Sequence, residues 1–496
     1  MRYITMLNMT EINNKIKDCA ITWGASGAVT IYKDEKCCHR NVYGLADRAK
    51  KLPITEESTY LLPYHNRFLM GLCIGKLIDD KKLKLSDTLD KYIKEYSHAS
   101  KISVKQLCLK QTGIPDFFNG QIMKELQKTD EYKKVDDEKR SLIERKLLVF
   151  PWSFDEVLSH VNGIELTCAP GTEPTDDLDN MSETLFIREV IERASKKSLA
   201  DFVQDEIFKP LMIHAVYKQP DTNPYSVYRN TAFMNSEYEP DEKNTFTMTF
   251  TEAEKLLNAV VEKKLLSEKA WKAISTAVTF GQSIAFNSLY GLLSVRDFCY
   301  GSLGWNCNIC VDWDTKLGFL YLTNSEHMIS RTREGIKYFL KELLEETAAA
   351  FVYPKNTKLV PFNKDNLWDT MRLSMRDDQL EFMNNAQRAI CIACAYKQKL
   401  FVLTEGLRSI GLIAFTVDKK HQKYYIESVL IDQKYQQRGF GKIMLTKGID
   451  YLKLQGCKYL TIGVHRFNVP AQKLYTSVGF RVKTVYDDFI EMEAEL

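Results

Sequence analysis

Hydrophobic and polar positions alternate in two runs near the N-terminus, Ala20 to Tyr32 and Arg40 to Leu45, on either side of a charged turn. Period-two alternation predicts two strands there. A denser apolar stretch, Tyr60 to Leu77, reads as a buried helix with its polar start around His65 and Asn66. Helices are also predicted at Val104–Leu109, Ser182–Ala194 and Leu199–Phe208. Strand patterns return at Gly301–Val311 and Leu317–Thr323, and Arg331–Glu346 is an amphipathic closing helix. Strands at both ends with helices between predict an α+β domain whose terminal strands share one antiparallel sheet.

Periodicity fades between Thr347 and Asn366, where two prolines fall. A linker at 351–362 therefore divides the chain into a domain at 1–350 and a second at 363–496. From Trp368 the pattern reads strand, helix, three strands, helix, strand, helix, two strands. That order predicts an α/β sheet with helices on both faces.

A chain of 496 residues has room for two cores. Its composition, 45% hydrophobic and 27% charged, is that of a soluble globular protein. A formal net charge of +3 implies neither a nucleic-acid nor a membrane partner. No run approaches the ~20 apolar residues of a membrane span, and the first residues lack the apolar core of a signal peptide. A cytoplasmic protein is expected. The twelve cysteines then fit reduced thiols better than disulfides. The pairs Cys307–Cys310 and Cys391–Cys394 have no nearby histidine pair, so no metal is expected and buried small hydrophobes are the better account. Oligomeric state has no signature in the sequence.

The clearest chemical signal follows the alternating run Tyr424–Ile431. Gln436-Gln437-Arg438-Gly439-Phe440-Gly441-Lys442 leads into the helical pattern that starts at Ile443. Two glycines one residue apart let backbone amides approach a ligand, and the helix behind presents its positive end. Arg438 and Lys442 add charge suited to phosphate oxygens. A second segment, Asn468-Val469-Pro470-Ala471-Gln472-Lys473-Leu474-Tyr475, follows, with Gly479 and Phe480 beyond it. Together these segments resemble the GNAT acyl-CoA-dependent N-acetyltransferases over residues 363–496, with Gln436, Gly439, Gly441, Asn468, Ala471, Leu474, Tyr475, Gly479 and Phe480 at the fixed positions.

That resemblance implies acetyl-CoA as cosubstrate and direct transfer to an amine. The amides from Gln437 through Arg438, Gly439, Phe440 and Gly441 to Lys442 would hold the pyrophosphate. Val429, Leu430 and Ile431 would lie along the pantetheine arm where neighbouring strands splay, and Asn468 would touch the cofactor and cap its helix. Tyr475 is the candidate general acid, since a phenol of pKa about 10 is protonated when a thiolate of pKa about 8.5 departs. Its competing role is core packing. Glu427, which strand alternation sets on a face with Tyr425, Val429 and Ile431, is the candidate general base; the competing reading is a solvated carboxylate. His465 is a second possible base. The acceptor is a small polyamine-like amine or a peptide amine.

The first ~350 residues resemble the serine β-lactamase and penicillin-binding-protein group. Gly44-Leu45-Ala46-Asp47, Lys82-Leu83-Lys84-Leu85-Ser86-Asp87, Thr112-Gly113-Ile114-Pro115-Asp116, Pro170-Gly171-Thr172 and Phe208-Lys209-Pro210-Leu211-Met212 carry it, in the family's order. The catalytic positions depart from it. Tyr64 and Arg67 stand where the family has Ser-x-x-Lys, and arginine cannot serve as a base near neutral pH. Asp176-Asp177-Leu178 replaces Tyr-x-Asn, and Cys299-Tyr300-Gly301 keeps only the glycine of the third motif. A non-catalytic binding domain is expected. The alternatives are a sensor whose acetyltransferase domain is also degenerate, and an altered hydrolase with Tyr64 as nucleophile.

Overall fold

The computed structural model describes residue 14, residues 26–326 apart from 65–66, 137–138, 141–142, 144–152, 173–179, 217–220, 223–224, 227–230, 233–244, 278–295, 303–304 and 314, and residues 348–496 apart from 350, 383 and 407. The chain forms two compact units, the first holding the described residues up to 326 and the second those from 348 to 496.

In the first unit, β1 (Gly27–Lys33) and β2 (Lys36–Tyr43) form a hairpin turned by Asp34 and Glu35, both at positive φ. Strand β3 (Thr59–Pro63) passes through Tyr64 into helix α1 (Arg67–Asp79). Helix α2 (Met181–Ser195), strand β4 (Thr245–Thr249) and helix α3 (Phe250–Val261) follow. Three antiparallel strands close the unit: β5 (Arg296–Ser302), β6 (Trp305–Asp312) and β7 (Leu317–Thr323). The sheet order is β2-β1-β7-β6-β5. The first strand thus pairs with the last, Gly27 opposite Thr323, as the hydrophobic pattern predicts. The stretch Tyr60–Leu77 is not one helix. Its start pairs with β4, Tyr60 opposite Met248, because Leu62 precedes a proline and is biased to extended backbone. A short apolar run does not by itself distinguish a buried strand from a buried helix. The closing helix expected at 331–346 lies outside the described residues.

The second unit is one seven-stranded sheet. Its elements are β8 (Thr357–Pro361), α4 (Leu367–Met371), α5 (Ala386–Ala395), β9 (Lys399–Glu405), β10 (Arg408–Asp418), β11 (Lys423–Ile431), α6 (Phe440–Leu454), β12 (Tyr459–His465), α7 (Val469–Thr476), β13 (Arg481–Val485) and β14 (Phe489–Glu495). The order is β8-β9-β10-β11-β12-β14-β13, and only β11 and β12 run parallel. Helices α6 and α7 join one buried cluster with Ile413, Phe415, Tyr424, Ile426 and Ile462. Helix α5 packs Ala389 and Ile390 with Leu412 and Leu430 in another. Two expectations are corrected here. Residues 351–362 are no free linker, because Thr357–Pro361 supplies the sheet's first strand and Val352 is buried in its core. Trp368 lies in the short helix α4 rather than in a strand.

Candidate active site

Strand β11 pairs with β10 along its length but with β12 only at Tyr425–Thr461 and Ile426–Ile462. Beyond Ile426 the two parallel strands part, and the β12-facing edge of Val429–Ile431 pairs with no strand among the described residues. An extended chain with amide and carbonyl groups can lie there as an added strand. The register against β10 jumps from Ala414–Ser428 to Phe415–Ile426, so Glu427 is the extra residue of a bulge. The bulge reverses the alternation: Val429 and Ile431 join Tyr424 and Ile426 in the core, and Leu430 turns toward α5. Glu427 therefore does not share a face with Val429 and Ile431. It is exposed, and Thr416 Oγ1 donates to its Oε1 at 2.5 Å. The expected carboxylate among apolar neighbours is corrected to a solvent-facing one.

The glycine turn follows. Asp432 is buried and anchors it, accepting from Lys434 N at 2.8 Å and Ser374 N at 3.0 Å. Gln437 adopts the left-handed conformation at φ 61°, and Gly439 does so at φ 86° as the N-cap of α6. A Cβ added at Gly439 would meet nothing within 4 Å, so open space lies over the turn. Gly441 serves a different end: its Cβ would stand 3.1 Å from Leu474 Cδ2, and its small size lets α6 pack on α7. Phe440 is buried against Tyr435, leaving only its amide for the turn. Among the described residues no acceptor takes the amide hydrogens from Gln437 to Lys442. Unpartnered amides at a helix start with room above them fit a pyrophosphate. Lys442 is exposed beside them. Arg438 is occupied elsewhere: its Nη1 donates to the carbonyls of Ala349 and Val352, the latter at 3.1 Å.

Asn468 caps α7, accepting from Ala471 N at 3.2 Å. About two turns later, Tyr475 is buried in the core near Phe480, and its hydroxyl bonds to no described protein group. Burial, with a smaller contribution from Tyr425, holds its phenol well above the ordinary 10. Both the packing role and the proton-holding role are thus compatible with its position. Tyr425 lies over Gly463, whose Cβ would stand 2.5 Å from its hydroxyl, and burial followed by the fields of Glu427 and Glu491 raises its pKa. His465 is committed locally, its Nδ1 accepting from Phe467 N at 3.3 Å and its ring 5.0 Å from Phe382.

Two family descriptions match the chain: Beta-lactamase over residues 15–340 and Acetyltransferase (GNAT) family over residues 365–480. The first spans more than half of the sequence. The chain belongs to the beta-lactamase family. A GNAT acetyltransferase domain follows that region. Protein flp of Staphylococcus aureus (strain MW2) is 26% identical over 202 residues, 40% of this chain and 35% of that protein. Teichoic acid D-alanine hydrolase of Staphylococcus aureus (strain MRSA252) is 23% identical over 259 residues, 49% of this chain and 56% of that protein. The chain therefore matches about a third to just over half of these relatives' lengths. Among solved structures, a penicillin-binding protein from Bacillus halodurans has a TM-score of 0.49 at 14% identity, covering 68% of this chain and 99% of its own. FmtA from Staphylococcus aureus has a TM-score of 0.47 at 18% identity, covering 67% and 88%.

In the beta-lactamase domain Tyr64, the residue expected at the nucleophile position, is a packed side chain. Tyr64 is buried, its ring 4.9 Å from Phe246, and its hydroxyl accepts from Gln204 Nε2 at 2.7 Å. Burial outweighs that hydrogen bond and raises its pKa above 10, opposite to what a nucleophile needs. Cys299-Tyr300-Gly301 lies in the edge strand β5. Asp176-Asp177-Leu178 lies outside the described residues. Cys307 and Cys310 are both buried on β6, where a spacing of three sends side chains to opposite faces. Cys391 and Cys394 are exposed on α5, which corrects their expected burial. Among the described residues no group of three metal-ligating side chains occurs, and no helix is long and apolar enough to cross a membrane.

Sequence reasoning placed Gln436 in the motif without its contacts, and missed Asp432 and Gly463. Gln436 donates to Ile431 O at 2.9 Å and to Gln379 Oε1 at 2.8 Å, tying the turn to its strand. Asp432 had a readable signal, an aspartate between a strand and a helical turn. Gly463 had none, since its need depends on Tyr425 of a neighbouring strand.

Proposed function

We propose that the GNAT domain transfers the acetyl group of acetyl-CoA to a primary amine, of a small polyamine-like molecule or of a peptide, while the beta-lactamase domain binds without hydrolysing. The observation that carries this reading is the conjunction of an unpartnered amide turn, a parted strand edge and a buried phenol in one unit. The amides of Gln437–Lys442 bind the pyrophosphate, and the Val429–Ile431 edge aligns the arm. Tyr475 keeps its proton at neutral pH and is suited to deliver it to a leaving thiolate. Neither β11, the turn nor α7 contains a cysteine, which supports direct transfer within one ternary complex. Glu427 and Glu491 around Tyr425 favour an acceptor that arrives as a cation, and exposed Glu427 takes its proton directly or through water. Acetyl-CoA supply sets this activity in the cytosol.

The test is release of free CoA thiol from acetyl-CoA with a panel of diamines, polyamines and peptides. Amine-dependent release is expected. CoA binding without release would leave a sensor, and absence of CoA binding would remove the reading. For the beta-lactamase domain, buried and hydrogen-bonded Tyr64 supports binding without turnover, although a relative carries the name teichoic acid D-alanine hydrolase. Turnover of a chromogenic ester or β-lactam, lost in Tyr64→Phe, would overturn that part.

A further inference from the structure

Arg438 sits in the middle of the glycine turn, and its guanidinium is taken up by main-chain carbonyls. It donates to Ala349 and Val352 and lies 5.7 Å from the ring of Tyr353. Ala349 and Val352 are both buried in the same cluster as Tyr435, Phe440 and Tyr475. The segment is fastened at its other end too. The Glu405 carboxylate accepts from Lys355 N at 3.1 Å, Asn356 N at 2.8 Å and Thr357 Oγ1 at 2.7 Å. Ala349 and residues 351–357 thus supply a strap, held by Arg438 at the turn and by Glu405 at the end of β9.

We propose that this strap is part of the acetyl-CoA site, with Arg438 as a positioning residue that fastens the turn to it rather than a ligand of the phosphates. The inference rests on the acetyl-CoA reading above. Gln437 and Gly439 flank Arg438 in the left-handed conformation, so its backbone has little freedom once its side chain is held. A held turn keeps the amides of Gln437–Lys442 convergent before the ligand arrives, and preorganisation of that kind raises affinity. Linkage makes the effect reciprocal: bound CoA must tighten the strap by the factor by which the strap tightens CoA.

The experiment uses the full chain, wild type and Arg438→Ala, with hydrogen exchange of the 349–357 amides and CoA binding by calorimetry. Charged hydrogen bonds of this kind contribute about 1.5–3 kcal/mol, about tenfold or more in an equilibrium. Arg438→Ala should therefore weaken CoA about tenfold, speed strap exchange about tenfold without CoA, and place its kinetic loss in KM for acetyl-CoA. Glu405→Gln, remote from the turn, should move both readouts the same way by less. Weakened CoA with unchanged strap exchange in the apoprotein would make Arg438 a direct phosphate ligand and overturn the proposal. Unchanged binding in both variants would overturn it as well. A wild type that does not bind CoA at all would remove the acetyl-transfer reading itself, while faster strap exchange in Arg438→Ala would still register the tether.

Discussion

The two family-defined sites in this chain differ in how their polar groups are used. At the first, the hydroxyl of Tyr64 is bonded to Gln204 and its ring is packed on Phe246 inside a closed core. At the second, a row of amides is left without acceptors over open space, beside a strand edge that its neighbour has abandoned. Polar groups inside folded proteins are ordinarily paired. Amides without protein acceptors at a solvent-facing helix start are free to take a ligand's oxygens. At Tyr64 both the hydroxyl and the ring already have protein partners. The contrast is the basis for resting the acetyl-transfer proposal on the second half of the chain.

The largest effect expected from breaking this contrast lies in the first domain. Tyr64→Ala should cost about 3–5 kcal/mol of that domain's stability, as large aromatic truncations in cores do, with CoA binding intact by calorimetry. A marginal loss would mean Tyr64 faces a cleft after all. Next comes Tyr475→Phe, which should lower turnover about 100-fold, within the range for a proton donor, at nearly unchanged CoA affinity. Equal turnover would reduce Tyr475 to packing. Gly439→Val should weaken CoA about tenfold, because a β-branched residue at φ 86° costs about 1–2 kcal/mol of strain. Tyr64→Phe is milder, about 1 kcal/mol for one neutral hydrogen bond.

The smallest effect is a pH dependence. Burial pushes the Glu405 carboxyl up, but the hydroxyl of Thr357 and the amides of Asn356 and Lys355 outweigh it and hold it below its ordinary 4.5. A depressed folded pKa stabilises above the unfolded value and is lost as pH falls through the folded one. Strap docking should accordingly be unaffected at neutral pH and loosen below about pH 4.5, seen as a falling protection factor of the Asn356 amide relative to its intrinsic exchange rate. In Glu405→Gln that acid-dependent step should vanish.

Much of this was readable beforehand from local signals. The alternation at Tyr424–Ile431, the glycines at 439 and 441 and the asparagine at a helix start are short-range features, and each appears where its chemistry demands. Pairing of the first strand with the last followed from hydrophobic runs at both ends of the domain. The misreadings share one cause, a partner distant in sequence. The apolar stretch at Tyr60–Leu77 starts as a strand because β4, nearly 190 residues on, offers it an edge. Glu427 leaves its expected face because the bulge is defined only by the register against β10. The segment at 351–362 looks like a linker until β9 pairs with it.

Sequence alone determined the two families, the expectation that Tyr64 and Arg67 stand where Ser-x-x-Lys would be, and the place of the amide turn, since these depend on residue identity and spacing. Only the tertiary structure decided that Gly441 serves helix packing, that Tyr64 is buried, that β11 and β12 part after Ile426, and that Arg438 holds a strap. Those outcomes depend on which distant atoms fill the space around each residue, and close packing in three dimensions sets that.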